Sequence, residues 1–300
     1  MIAKLFKSLI PVFIIVSIYS FAKHDSEYKR TTSGPRQQPT VKLYVFDGGT
    51  LENMNTKRFG LESNEVAISR MSVPCFLIVH PNGTLIWDTG AVPDTSWVFT
   101  GSPVLYKLIL PNLQRDISLT KPLKTQLAEV GYLPTDITYL ALSHYHYDHT
   151  ANANQFSKAT WLVRQNEHDS MFAKQSPGVT RPSTYTALRN NKTKIIATDQ
   201  YDVFGDGTVI IKAAPGHTPG HQVLFLKLIQ TGNIVLSGDL YHYPEERVLD
   251  RVPTFDFNQE QTRSSRKNID TFLKKTNARL WIQHDYGAIS KLKKAPYYYE

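Results

Sequence analysis

The stretch Ser143-His144-Tyr145-His146-Tyr147-Asp148-His149 places three imidazoles and a carboxylate within six positions, directly after the apolar run Ile137-Thr138-Tyr139-Leu140-Ala141-Leu142. Such a run predicts a buried strand, so the cluster begins where a strand ends and a rigid scaffold presents side chains to a cleft. Neutral imidazole and carboxylate are good ligands for zinc-like divalent ions. Alternation along an extended segment puts His144 and His146 on one side, while Asp148 and His149 turn toward a second point. One ion seldom takes four ligands from so short a piece, so the spacing suggests a two-metal site. A histidine-rich surface loop would account for the local composition, but not for the partners further along.

Those partners follow predicted strands. Ala214-Pro215-Gly216-His217-Thr218-Pro219-Gly220-His221 comes after the strand Val209–Lys212, and its glycines and prolines fix the turn that presents His217. His221 begins the next strand and is read as a group that supports a ligand. The strand Ile234–Leu236 ends in Ser237-Gly238-Asp239, and a carboxylate at a strand end can bridge two cations. The last predicted strand, Ala278–Ile282, is followed by Gln283-His284-Asp285. Each piece is weak alone. Together they supply seven candidate ligands, each at a strand terminus.

The rest of the chain is consistent with a globular fold. It has 300 residues, 41% hydrophobic and 20% charged, enough for a substantial core. The net charge of +8 is spread along the sequence with no lysine- or arginine-rich block, which argues against a nucleic-acid partner. Lys4 and Lys7 precede the apolar stretch Leu9–Tyr19 and then Ser20-Phe21-Ala22, the pattern of a secretion signal over residues 1–22 cleaved after Ala22. The protein is therefore expected to be secreted or periplasmic, and membrane-bound only if that segment is kept. Residues 23–40 read as a polar linker and 41–300 as the catalytic domain. The single cysteine, Cys75, lies in an apolar run and reads as a small core hydrophobe.

Within the domain, Val41–Phe46 predicts a strand ending in a turn at Asp47-Gly48-Gly49. Phe76–Val79 and Thr84–Trp87 flank Pro81-Asn82-Gly83, a hairpin signal in which Asn-Gly would form a type I′ turn. Thr120 is expected to cap a helix with Leu123, Leu127 and Val130 on its apolar face and Gly131 after its end. Trp97, Phe99 and Tyr106 lie in a segment without clear pattern, suited to either an acyl-chain pocket or core packing. Residues 257–275 predict another helix. Strand clusters in both halves, each followed by helices, predict two packed sheets with helices outside.

The order of these pieces resembles the metallo-β-lactamase superfamily from about Val41 to the C-terminus. The signature is His-x-His-x-Asp-His, then a histidine, a bridging aspartate and a last histidine. The resemblance implies an αββα sandwich, an α+β fold of two mixed β-sheets flanked by helices. It assigns His144, His146 and His217 to one divalent ion, Asp148, His149 and His284 to a second, and Asp239 to both. Zinc suits these ligands, although iron, manganese or cobalt is compatible. Asp88, in Trp87-Asp88-Thr89-Gly90, would orient the metal loop. Ala151 departs from the family, which usually has glycine there.

Asp239 argues against a true β-lactamase, since those relatives lack the bridging aspartate. Gly216–Gln222 with Leu224-Phe225, and Gln283-His284-Asp285 with Leu292–Pro296, look like the N-acyl-homoserine lactone lactonases. Hydroxyacylglutathione hydrolases are the alternative, with Lys291, Lys293 and Lys294 as a possible tripeptide site. A non-catalytic metal-binding protein is a further alternative. Lactonases of this kind carry a tyrosine three residues after the bridging aspartate. Here that position is His242, flanked by Tyr241 and Tyr243, so His242 or Tyr241 is expected to polarise the carbonyl. The implied chemistry is attack of metal-bound hydroxide on a small-molecule lactone or ester, with Asp148 passing a proton to the leaving oxygen.

Overall fold

The computed structural model describes residues 40–175 and 177–300. The leader expected over residues 1–22 and the linker expected over 23–40, apart from Thr40, lie outside the described residues. The domain starts with three antiparallel strands, β1 (Lys42–Leu51), β2 (Met71–His80) and β3 (Gly83–Trp87). A hairpin follows, β4 (Val104–Leu110) and β5 (Leu113–Leu119), and then helix α1 (Leu123–Glu129). Strand β6 (Tyr139–Ala141) leads into the short helix α2 (Tyr147–Thr150), followed by β7 (Thr160–Val163), α3 (Gln165–Met171) and β8 (Thr193–Ile195). The second half holds β9 (Gln200–Asp202), β10 (Val209–Ala213), β11 (Gln222–Leu228) and β12 (Gly232–Leu236). It closes with α4 (Pro244–Val248), α5 (Gln259–Thr276), β13 (Arg279–Trp281), α6 (Tyr286–Ile289) and β14 (Tyr298–Tyr299).

Two mixed sheets result. The nine-stranded sheet runs β4-β5-β1-β2-β3-β6-β7-β8 with β14 added to β1, and the five-stranded sheet runs β13-β12-β11-β10-β9. Strand β2 is buried along nearly its whole length because its alternate side chains serve two cores. Phe76 and Ile78 face the second sheet, where Leu224, Leu226 and Leu236 meet them. Cys75 and Leu77 face outward and are covered by Leu123 and Leu127 of α1. On the far side, Val223, Phe225 and Val235 pack under Ile269 and Leu273 of α5. The layers are helix, sheet, sheet, helix, as expected. Truncating any one of these fully buried leucines to alanine costs about 2–5 kcal/mol.

Local readings fared unevenly. Gly48-Gly49 do not end β1; they form a bulge inside it, with a register shift against β2 between Asp47 and Thr50 and Gly49 at φ 128°. A Cβ on Gly48 would sit 2.8 Å from the Cα of Gly90, so two glycines let β1 press against the Asp88 turn. The β2–β3 hairpin exists, but its two-residue loop is Pro81-Asn82, with His80 paired to Gly83. Proline fixes a negative φ and Asn82 is not left-handed, so the type I′ reading fails. Helix α1 is not capped by Thr120, whose hydroxyl donates to Asp47 Oδ2; the Asp94 carboxylate instead accepts from Leu123 N and Lys124 N. The unpatterned segment around Trp97, Phe99 and Tyr106 contains the β4–β5 hairpin, which widens the first sheet. Among the described residues, no helix is long and apolar enough to cross a membrane.

Candidate metal centre

The ends of β6, β10, β12 and β13 meet at one edge of the sandwich. They bring together the distant residues of the sequence pattern. His144, His146, His217 and Asp239 form one buried group, with one potential ligand atom from each lying within 4.8 Å of the others. Asp148, His149 and His284 form a second on the same criterion. Asp239 joins the two. Its Oδ2 is 3.4 Å from His144 Nε2 and 3.3 Å from His217 Nε2, while its Oδ1 is 3.1 Å from His149 Nε2 and 3.0 Å from His284 Nε2.

Whether these residues suit metal ions is decided by which atoms are left over. His284 Nδ1 lies 2.7 Å from the Ser72 carbonyl, which can only accept, so Nδ1 carries the proton and Nε2 keeps its lone pair. His149 Nδ1 is held in the same way by Asp88 Oδ2 at 2.9 Å, and His217 Nδ1 by Asp256 Oδ1 at 2.8 Å. His144 Nε2, His149 Nε2 and Asp239 Oδ1 are buried and make no hydrogen bond of acceptable geometry. Burial keeps His144 and His146 well below the ordinary imidazole pKa, despite the opposing pull of Asp239. At His149 and His217 the neighbouring carboxylates outweigh burial and push the pKa up. Imidazoles crowded around a carboxylate, three of them oriented through their far nitrogens, form a donor set for cations. The residues fit two divalent ions.

Asp88 is the main organiser. It sits in the left-handed region at φ 57° and is fully buried. Its carboxylate accepts from Ser143 N at 2.6 Å, Ser143 Oγ at 3.0 Å, His149 Nδ1 at 2.9 Å and Gln283 Nε2 at 2.9 Å. The orienting role expected of it is thus visible in its contacts. His221 donates from Nδ1 to the Ala214 carbonyl, and its Nε2 accepts from Asp239 N. Burial pushes its pKa down to about 3, so it stays neutral and acts as support. Ala151 is right-handed, with φ −55°, so nothing there demands the glycine the family pattern would have.

Three supporting residues escaped the sequence reading. Asp256 holds His217 and is itself fixed by the Thr262 hydroxyl at 2.7 Å. The chain can pass because Gly216 (φ 136°) packs against α5, where a Cβ would come within 2.3 Å of Thr262 N. Glu167 accepts from Tyr145 N, the Thr218 hydroxyl and Gly220 N, tying the two histidine loops together. Burial pushes its carboxyl up to about 7 against those hydrogen bonds. Glu246 packs beneath His242 and pairs with Arg266 at 2.7 Å. Glu246 lies seven positions after Asp239, but Glu167 and Asp256 are 18 and 17 positions from the nearest predicted ligand, and nothing in the sequence singled them out.

His242 and Tyr241 part company. His242 is buried at the cleft floor, with Nε2 3.1 Å from Asp239 Oδ2, Nδ1 3.2 Å from Glu246 Oε1, and its ring against Phe59. Burial disfavours its charge, but Asp239 and Glu246 outweigh that and push its pKa up to about 10. Tyr241 turns the other way, into the core beneath α5, with the Arg266 guanidinium 4.1 Å from its ring. Tyr243 hydrogen-bonds the Ser69 carbonyl. The expectation that Tyr241 reaches the substrate is corrected: neighbouring side chains on an extended segment point to opposite sides, and His242 takes the inward one.

A cleft opens above the cluster, floored by His146, Asp148, Asp239, His242 and His284. Met54, Phe59, Met71, Leu113, Val179 and Phe255 supply apolar walls. Trp97, Phe99 and Tyr106 do not line it; Phe99 is 75% exposed, and Tyr106 accepts from Arg181.

Fold and ligand geometry together define the class. The chain belongs to the metallo-beta-lactamase superfamily, whose family model matches residues 68–282. More particularly, it is similar to an N-acyl homoserine lactonase AttM of Azorhizobium caulinodans, 28% identical over 269 residues, covering 87% of this chain and 99% of that one. The N-acyl homoserine lactonase AiiA of Bacillus thuringiensis subsp. kurstaki is 29% identical over 218 residues, covering 72% of this chain and 82% of its own. Among solved structures, an N-acyl homoserine lactone hydrolase with N-hexanoyl-L-homoserine bound at its catalytic metal centre superposes with a TM-score of 0.69. It is 25% identical and covers 86% of this chain and 99% of that one.

Proposed function

We propose that this chain is a dinuclear metallohydrolase that opens the ring of N-acyl-homoserine lactones or closely similar lactones, and so quenches signals built on them. The observation that carries the reading is the Asp239 carboxylate set between two groups of oriented imidazoles beneath an apolar cleft. The near full-length likeness to the lactonases supports the substrate class. His144, His146, His217 and Asp239 would hold one ion, and Asp148, His149, His284 and Asp239 the other. Zinc is favoured by the histidine–carboxylate set.

The ions would supply a Lewis acid for the carbonyl and a water acidic enough to attack at neutral pH. The chain's own residues do the rest. Asp148 faces the cleft and is the carboxylate able to take a proton from the attacking water and return it to the ring oxygen as it leaves. His242, on the same floor, is placed to donate from Nε2 to the substrate carbonyl oxygen, where charge develops. Phe59, Met54 and Phe255 hold the acyl chain and keep bulk water from the floor.

Secretion through a cleaved leader at residues 1–22 is part of the proposal and rests on the sequence pattern alone. Thioester hydrolysis is less well supported. Lys291 and Lys293 are exposed, Lys294 donates to the Ile289 carbonyl, and none of them lines the cleft. The test is proton release by the metal-loaded protein on a panel of lactones, a glutathione thioester and a β-lactam. Rapid opening of acyl homoserine lactones is expected. Turnover of the thioester with every lactone left intact would overturn the substrate assignment.

A further inference from the structure

Two arginines in the cleft have no charged partner. Arg115, on β5, and Arg58, in the turn Thr56–Phe59, both line it, and both are half-buried. Neither lies within ion-pair distance of a carboxylate among the described residues. Arg247, Arg251, Arg263 and Arg266 in the neighbouring second half are each matched to an acid. Arg115 hydrogen-bonds the Tyr147 side chain, and its Nε is buried with no acceptor at all. Arg58 lies 5.1 Å from the ring centroid of Phe255. Stacking on a ring face leaves the in-plane N–H donors of a guanidinium free.

This arrangement leaves guanidinium donors unmatched by a carboxylate. A guanidinium set among Met54, Leu113 and Phe255 gives up hydration without gaining a counter-charge. The two carboxylates on the floor, Asp148 and Asp239, belong to the metal groups and form no ion pair with either arginine. A ligand anion would remove the deficit. Arginine, with parallel donors in a plane, matches the two oxygens of a carboxylate.

The geometry points to a cleft that selects substrates carrying a carboxylate on the acyl substituent, with Arg115 and Arg58 as its receptors. The inference rests on the lactone reading for the bond that is broken, and not for the charge that is selected. It makes the acyl pocket a reader of charge as well as of chain length.

The test compares N-hexanoyl homoserine lactone with its N-adipoyl counterpart, which has the same chain length and ends in a carboxylate. With the metal-loaded full chain, kcat/KM for the adipoyl lactone should exceed that for the hexanoyl lactone by about tenfold or more, mostly through KM, as one charge-assisted contact implies. The ratio should collapse toward unity in Arg115→Gln and Arg58→Gln and largely survive in Arg115→Lys, which keeps the charge. Circular dichroism and metal content identify any variant that fails to fold, and the two glutamine variants stand in for each other. Calorimetric titration with the ring-opened adipoyl and hexanoyl compounds repeats the comparison without turnover. Tighter binding of the adipoyl compound, lost in the glutamine variants, supports charge selection even if no lactone is opened, in which case the lactonase reading alone fails. Equal or better handling of the hexanoyl compounds in both measurements, or a ratio unmoved in the glutamine variants, overturns the inference.

Discussion

The floor and the wall of the cleft are built on different terms. Most of the ligand histidines are held from behind or beside. His149 is held by Asp88, His217 by Asp256, His284 by the Ser72 carbonyl and His144 by Ser143, and most of those partners have partners of their own. The wall comes from short or peripheral pieces: a single turn at Thr56–Phe59, the inner face of a hairpin at the sheet edge, and the loop that carries Phe255. Its residues contact one another chiefly through apolar surface. Over-determined polar networks fix geometry, whereas apolar walls of adequate volume tolerate exchange. A fold built this way can keep one reaction while its choice of substrate drifts.

That contrast can be broken in graded steps. The largest effect is expected at Asp239: Asp239→Asn should lower kcat/KM about a thousandfold or more, because both ions lose a shared charged ligand. Elemental analysis should then show less than two ions per chain. Asp88→Ala touches no ligand position of the first ion, yet should weaken metal retention by about 10–100-fold in competition with a chelator. His242→Gln should lower kcat by about a hundredfold with metal content unchanged, the loss expected for one donor to developing charge. On the wall, Met54→Ala should raise KM about tenfold for long acyl chains and leave kcat and metal content near those of the unaltered protein. If Met54→Ala cost as much as Asp88→Ala, the division between floor and wall would be wrong.

The smallest effect lies outside both regions and serves as a control. Burial pushes Lys294 down to about 8 from an ordinary 10.5, with Asp47 pulling the other way. Its charged form is disfavoured in the folded chain, so between those values the unfolded chain binds more protons and stability rises with pH. Lys294→Met should flatten that rise, which is worth about 2 kcal/mol or roughly four to eight degrees in Tm between pH 8 and 10, with lactone turnover unaltered.

The floor was legible in the sequence, and the wall was not. Histidines at strand ends announce themselves by residue type and spacing, and Asp239 and His284 fell where strands were expected to stop. The layers were legible for the same reason, since the apolar run Val73–Val79 reports a buried strand and helical spacing in Leu123 and Leu127 a buried face. The wall is made of ordinary apolar residues whose meeting depends on tertiary placement. Phe59 and Phe255 are nearly two hundred positions apart and touch edge to face at 5.3 Å. Trp97 and Phe99 looked equally suitable as sequence and lie elsewhere. Tyr241 failed on a one-residue phase, and the capping of α1 failed because Asp94 reaches it from 29 positions away.

Gln283 joins the two sheets without any ion. Its Oε1 accepts from Trp87 Nε1 at 3.0 Å and Gly238 N at 2.8 Å, and its Nε2 donates to Asp88. One uncharged side chain thus helps fix how the two sheets meet beneath the half-sites, each of which takes ligands from both. Loading such a centre should bury little new surface, so its heat-capacity change should be small and the heat of binding nearly constant with temperature. Cations would then be sorted by how well they match a spacing already set, and Gln283→Ala should loosen that sorting before it loosens affinity.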